Sequence, residues 1–316
     1  MGRRTLHVVS SASVALFLVV VWSIAPASAT ESAPFVTILF SRSQWGATEF
    51  CKVPAGAVTL DQVAGNLAAR GWTGTGSIVL SYIKESGQTC TRGGLYPDWR
   101  TLQRLHTQHR WHFVSHSRSY ADLTRISPAQ QWAESCGTLP TLRSHGFFRG
   151  WGLFAYPNNK FSWSIQQNVV SKCFSFGRRY SDQLNTRTTM VPPRFANAWS
   201  VNGGACNLSW LPCFTMNTRY RYVNPWRLIA LLQVRPGQWA LLQFYTLVTG
   251  SKLTGPTTWD CTSTDWRRHF SSRTEIYCWN DYQRVLGSIP PAAMVTDPAT
   301  VASSWSVSTK APTQHR

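Results

Sequence analysis

Short apolar runs alternate with amphipathic stretches along most of this 316-residue chain, and that alternation limits the fold more than any other feature. The strand-like runs fall at 36–40, 78–83, 112–117, 152–156, 173–176, 228–234 and 239–248. Helical patterns occupy 59–70, 98–110, 128–145 and 162–171. Continuous apolar strands separated by helices indicate a parallel sheet buried on both faces. About seven such units point to a βα barrel, although a doubly wound open sheet gives the same local pattern. Residues 186–226 are rich in Pro, Asn, Gly and aromatic residues, and read as a long loop stapled by its two cysteines. From Pro290 onward the chain is mostly Pro, Ala, Ser and Thr, so residues 290–316 are expected to be a disordered tail.

The first 29 residues read as a secretory signal. Arg3 and Arg4 precede an apolar run over 14–24, and Ala27-Ser28-Ala29 forms a small-x-small cleavage site. The rest, with its domain at 30–289, carries no second apolar segment long enough to cross a membrane. All eight cysteines (Cys51, Cys90, Cys136, Cys173, Cys206, Cys213, Cys261 and Cys278) lie in that exported part. An even count in an oxidising compartment favours disulfides, with Cys206/Cys213 and Cys261/Cys278 close enough to close small loops. No C-x2-C pair or Cys/His cluster supports zinc. Without Arg3 and Arg4 the chain carries a formal charge of +16, almost all of it arginine. Such a surface suits anionic envelope polymers, and no tight Lys/Arg run marks a nucleic-acid patch.

A denser set of signals lies at 113–159. One apolar run closes on Ser115-His116-Ser117, Ala121-Asp122-Leu123-Thr124 follows, and a helical pattern has Pro128 in its first turn. The next apolar run closes on Phe154-Ala155-Tyr156-Pro157-Asn158. This order resembles the polysaccharide deacetylases, the NodB-homology domain of carbohydrate esterase family 4, over roughly residues 34–250. The resemblance implies a distorted (β/α)7 barrel, disulfide-stapled here. It also implies a divalent metal such as zinc that polarises an N-acetyl carbonyl, a carboxylate base and an acid for the leaving amine.

The family residues that would do this chemistry are replaced. The segment after the first run is Ser41-Arg42-Ser43-Gln44-Trp45, which puts Ser41 at the base position and Arg42 at the metal carboxylate position. Arginine cannot ligate a cation and its fixed charge repels one. His116 matches the first metal histidine and is the one residual ligand, while Tyr120 replaces the second. Tyr245 stands where the acid histidine is expected, and a phenol with an ordinary pKa near 10 is a poor proton shuttle at neutral pH. Asp122 and Leu123 match structural positions of the family. Among other carboxylates only Glu85 follows a strand-like run.

The reading is a secreted protein of polysaccharide-deacetylase type, catalytically degenerate, with no bound cofactor, that binds envelope or extracellular glycan. Its 16 Trp, 10 Tyr and 15 Phe supply rings for sugar stacking, with Trp45, Tyr120, Tyr156, Asn158 and Tyr245 as groove residues. Two alternatives stand beside it. One is an active hydrolase on carbon–nitrogen bonds other than peptide bonds, using His116 with Tyr245 or Glu85. The other is a basic structural or adhesive envelope protein whose groove is idle.

Overall fold

The computed structural model describes residues 33–41, 56–85, 96–181, 183–187, 194–200, 225–253, 259–264 and 276–307. Seven parallel strands form its centre: β1 (Phe35–Ser41), β2 (Thr75–Ile78), β3 (His112–Ser115), β4 (Leu153–Ala155), β5 (Phe176–Tyr180), β6 (Phe195–Ser200) and β7 (Gln238–Phe244). Each pairs with the next, and β1 pairs with β7 from Phe35↔Trp239 to Phe40↔Phe244, so the sheet closes on itself. This is the (β/α)7 barrel that the resemblance implies, and the open sheet is excluded. Helices α1 (Leu60–Ala68), α2 (Trp99–His109), α3 (Pro128–Glu134), α4 (Leu139–Ser144) and α5 (Trp163–Asn168) fill the early crossovers.

Local chemistry explains these helices. Thr59 and Gln62 form a reciprocal capping box at the start of α1, and Val63, Ala64 and Leu67 turn its buried face to the strands. Asp98 caps α2 by accepting from the Thr101 amide at 2.8 Å, and α2 stops at Arg110 in a left-handed conformation. Ser127 and Gln130 box the start of α3, with Pro128 at its first turn. The single helix expected over 128–145 is in fact two. Pro140 has no N–H to donate to the Cys136 carbonyl, and the chain tightens to a 3-10 turn over Cys136–Thr138. Cys136 is there bonded to Cys173, beneath α5.

Three other expectations are corrected. The apolar run at 228–234 is mostly helix, α6 (Pro225–Leu231). Leu228 and Leu232 are both buried at helical spacing, and Pro225 opens the first turn. The missing barrel strand is β6, inside the stretch expected to be loop. It alternates Ala196 and Ala198 inward with Asn197 and Trp199 outward, and the Asn185 side chain ties it to β7 through Asn197 and Trp239. The stretch from 290 to 307 is ordered rather than a tail. Met294–Val295 pairs in parallel with Phe35–Val36, and α8 (Pro298–Ser304) follows α7 (Trp279–Gly287). A small set of well-spaced apolar residues suffices here, because Val301, Ala302 and Trp305 enter the N-terminal end of the barrel beside Phe35 and Trp239. Gly152 lets α8 approach, since a Cβ there would stand 2.5 Å from the Ala299 nitrogen. The signal segment, Cys51, Cys90, Cys206, Cys213 and residues 308–316 lie outside the described residues. Cys261 and Cys278 are bonded, as their spacing suggested.

Asp297 fixes this plug. Its carboxylate caps α8 through the Ala299 amide and accepts two hydrogen bonds from Arg149, at 3.0 and 3.2 Å. Burial works to raise the carboxyl, but His112, Thr300 and Arg149 outweigh it and hold it below its ordinary value. His112, 3.7 Å away, is itself pushed below its ordinary value by burial, against the pull of Asp297. At neutral pH we therefore assign the charge pairing to Arg149 and Asp297, with His112 neutral. Both shifts are downward, so the unfolded chain binds the extra protons as pH falls and stability is lost with acid. Denaturant midpoints should decline below pH 6.5, the ordinary histidine value, and again below 3.8, the ordinary aspartate value. His112→Gln should remove the upper limb. Asp297→Ala should cost about 2 kcal/mol at pH 7 by loss of cap and buried partner.

Candidate functional site

Residues that point into the barrel alternate along each strand, and their character changes from one end to the other. At the N-terminal end they are apolar: Phe35, Leu39, Val114, Leu153, Phe176, Trp239 and Leu241. Toward the C-terminal end they become Ser41, Ser77, His116, Arg178, Tyr180, Gln243 and Tyr245. That is the end at which barrels of this class place their sites.

His116 follows β3 and is 1% exposed. Its Nδ1 lies 2.6 Å from the Ala155 carbonyl oxygen. A carbonyl only accepts, so Nδ1 carries a proton. Tyr120 crosses the mouth against it, with ring centroids 5.1 Å apart and edge to face. The Tyr120 hydroxyl donates to Asn158 Oδ1 at 3.2 Å. The loop that carries Tyr120 is strained: Ser117 and Tyr120 have φ of 75° and 68°, and Asn158 and Asn159 opposite have 50° and 55°. Specific contacts hold that conformation. Ser117 Oγ accepts from the Tyr120 amide at 2.8 Å, and the Glu134 carboxylate accepts from both the amide and the hydroxyl of Ser119.

On the far wall, Gln243 Nε2 donates to the Tyr180 hydroxyl at 2.7 Å, and that hydroxyl also meets the hydroxyl of Tyr245. Arg178 is wholly buried one inward step below Tyr180, its guanidinium carbon 4.4 Å from the Tyr180 ring centroid. Arg178 Nη2 donates to the Tyr156 carbonyl at 2.9 Å.

The closed seven-stranded barrel is the architecture that the sequence resemblance implies. No family model matches the sequence, and no curated protein does. Among solved structures, similarity is found to the Xyl-CE4 domain of a multidomain xylanase from the hindgut metagenome of Trinervitermes trinervoides, at 12% identity and a TM-score of 0.38 over 67% of this chain and 74% of that one. A family 4 carbohydrate esterase from Streptomyces lividans, in complex with acetate, matches at 12% identity and a TM-score of 0.36 over 66% of this chain and 78% of the other. The chitin deacetylase from the fungal pathogen Colletotrichum lindemuthianum matches at 12% identity and a TM-score of 0.37 over 66% and 73%.

The expected site residues are distributed as follows. Ser41 ends β1, 1% exposed, and among the described residues its Oγ has no hydrogen-bond partner. His116, Tyr120, Asn158 and Tyr245 gather at the C-terminal mouth. Arg42 and Trp45 lie outside the described residues. Tyr156 is not at the rim. It points outward from the barrel wall, fully buried under α5, where its hydroxyl donates to Gln166 Oε1 at 2.7 Å and burial pushes its pKa up. Parity is the reason: Leu153 and Ala155 face inward on this strand, so Phe154 and Tyr156 face the helices. Glu85 is exposed, well beyond the end of β2. Asp122 caps a 3-10 turn by accepting from the Thr124 amide at 2.9 Å, and Leu123 is buried, which suits structural positions.

A divalent metal does not fit the described residues. Among them no group of three or more His, Cys, Asp or Glu side chains could hold an ion, and the barrel centre carries a guanidinium charge instead. Arg178, Tyr180 and Gln243 were not singled out from sequence. The signal available was the same parity: Phe176-x-Arg178-x-Tyr180 continues an inward apolar position. Tyr180→Phe should leave the Gln243 amide and the Tyr245 hydroxyl short of a shared partner. A loss of about 1–3 kcal/mol in chemical denaturation, with the barrel's circular dichroism unchanged, is the expected outcome.

Proposed function

We propose that this chain is an exported, catalytically degenerate relative of the polysaccharide deacetylases that binds glycan at the C-terminal mouth of its barrel. The observation that carries the reading is the composition of that mouth. Ser41, Tyr120 and Tyr245 stand where the resemblance calls for base, metal ligand and acid, and His116 alone keeps a family identity. One imidazole beside a buried guanidinium is poorly suited to hold a divalent cation.

Binding without turnover draws on what the mouth has gained. Tyr82 and Tyr120 are partly exposed neighbouring rings, 6.2 Å between centroids, and the buried Tyr96 packs against Tyr82. Sugar C–H faces stack on such rings, while hydroxyls meet the Asn158 amide and the tyrosine hydroxyls. One feature supports export. The disulfides Cys136–Cys173 and Cys261–Cys278 suit an oxidising compartment. Among the described residues no helix is long and apolar enough to cross a membrane. The excess of arginine favours glycans that carry negative charge.

Calorimetric titration with N-acetylated chitooligosaccharides and peptidoglycan fragments tests the proposal. Saturable binding is expected, weakened about tenfold by Tyr120→Ala through loss of the stacking ring. No acetate should be released in the same mixtures. Acetate release that disappears in His116→Ala would overturn the reading in favour of an altered hydrolase, with His116 Nε2 as its base. Binding abolished by salt alone and indifferent to short glycans would favour an adhesive surface instead.

A further inference from the structure

The barrel interior leaves an unusual set of polar atoms without partners. Among the described residues these are Ser41 Oγ on β1, Thr75 Oγ1 on β2, Gln243 Oε1 on β7, and both Nε and Nη1 of Arg178 on β5. All four side chains are 0–1% exposed and occupy inward positions of one barrel. Buried polar atoms in folded proteins are nearly always paired, so several at inward positions of one barrel point to a missing partner.

Arg178 determines what kind of partner. A guanidinium stays protonated in proteins and offers five donors. Here one of its nitrogens, Nη2, reaches the Tyr156 carbonyl and the Tyr180 ring covers one face, while Nε and Nη1 reach nothing. Among the described residues no carboxylate forms an ion pair with it. Taking an unpaired cation out of water is costly, and a carbonyl and a π face offset only part of that cost. An anion inside the barrel restores the balance. It would accept from Arg178, while the Ser41 and Thr75 hydroxyls can rotate to donate. The wholly buried position of Arg178 limits the anion to a few atoms, and a single positive charge calls for a single negative one.

We propose that the barrel holds a small monovalent anion, a halide or a one- or two-carbon carboxylate, on Arg178 above the apolar N-terminal plug. The site shares Ser41 and Gln243 with the floor of the mouth, but anion binding there is read independently of any glycan. Its role is to neutralise the buried guanidinium and so stabilise the closed barrel.

The oxidised full chain, exchanged into a buffer whose only anion is a bulky sulfonate, would be titrated with bromide, chloride, formate or acetate at constant ionic strength. The melting temperature should rise saturably along a one-site curve. The rise should be lost in Arg178→Gln and kept in Arg125→Gln, which removes an exposed arginine. Comparison of the four salts separates a halide site from a carboxylate site. Crystals grown in bromide should show an anomalous peak beside Arg178, which decides the matter if Arg178→Gln does not fold. Melting temperatures indifferent to anion identity and concentration, a dependence retained in Arg178→Gln, or no bromide peak inside the barrel would overturn the proposal and leave water as the partner of Arg178.

Discussion

Pairing of Phe35 through Phe40 with Trp239 through Phe244 is the contact on which the molecule depends. It joins the first barrel strand to the last across some two hundred residues, and without it the seven strands would form an open sheet with two exposed edges. Closure also divides the side chains. Val36, Ile38 and Phe40 go out to α1 and α2, and Phe35, Thr37, Leu39 and Ser41 go in. The same join is reinforced at the N-terminal end, where Trp239 Nε1 donates to Thr37 Oγ1 at 3.0 Å and Thr37 Oγ1 donates to the Thr296 carbonyl at 2.7 Å. The strand at Met294–Val295 and helix α8 are thereby part of the barrel, not an appendage.

With one end filled by Phe35, Trp239 and Trp305, the interior gradient runs from hydrocarbon to polar groups. Strained backbone at Ser117, Tyr120, Asn158 and Asn159 is held by Glu134, by Ser117 Oγ and by the Tyr120–Asn158 contact. Tyr120 and Asn158 are thereby held facing each other across the opening. On the far wall, Tyr180, Tyr245 and Gln243 form one network of hydroxyl and amide groups.

Much of this architecture was legible because it is written in local periodicity. Continuous apolar runs located β1, β3, β4 and β7, and capping residues such as Thr59, Asp98 and Ser127 located helix starts. Periodicity failed where tertiary context decides. Leu228 to Val234 is apolar enough for either state, and only burial at helical spacing identifies α6. β6 holds two alanines, an asparagine and a serine, so its inward face carries too little hydrocarbon to register as a strand. Position directly after a strand sufficed to place His116 and Tyr245 at the C-terminal end of the barrel. Tyr156 was misplaced, because a family motif names a residue without fixing the parity of its strand. Arg178 was missed since an arginine pair beside a tyrosine reads as a solvated edge, and its burial becomes visible only when the barrel closes around it.

Central to the proposed function is that this (β/α)7 barrel lacks, among its described residues, the metal centre which the sequence resemblance implies. Calorimetric titration of the full chain with Zn²⁺, checked by elemental analysis after desalting, tests this most directly. The account predicts no stoichiometric ion, and the same weak uptake in wild type and in His116→Ala. One tightly held zinc per chain that is lost in His116→Ala would contradict it, and would place a working metal centre at the mouth of the barrel.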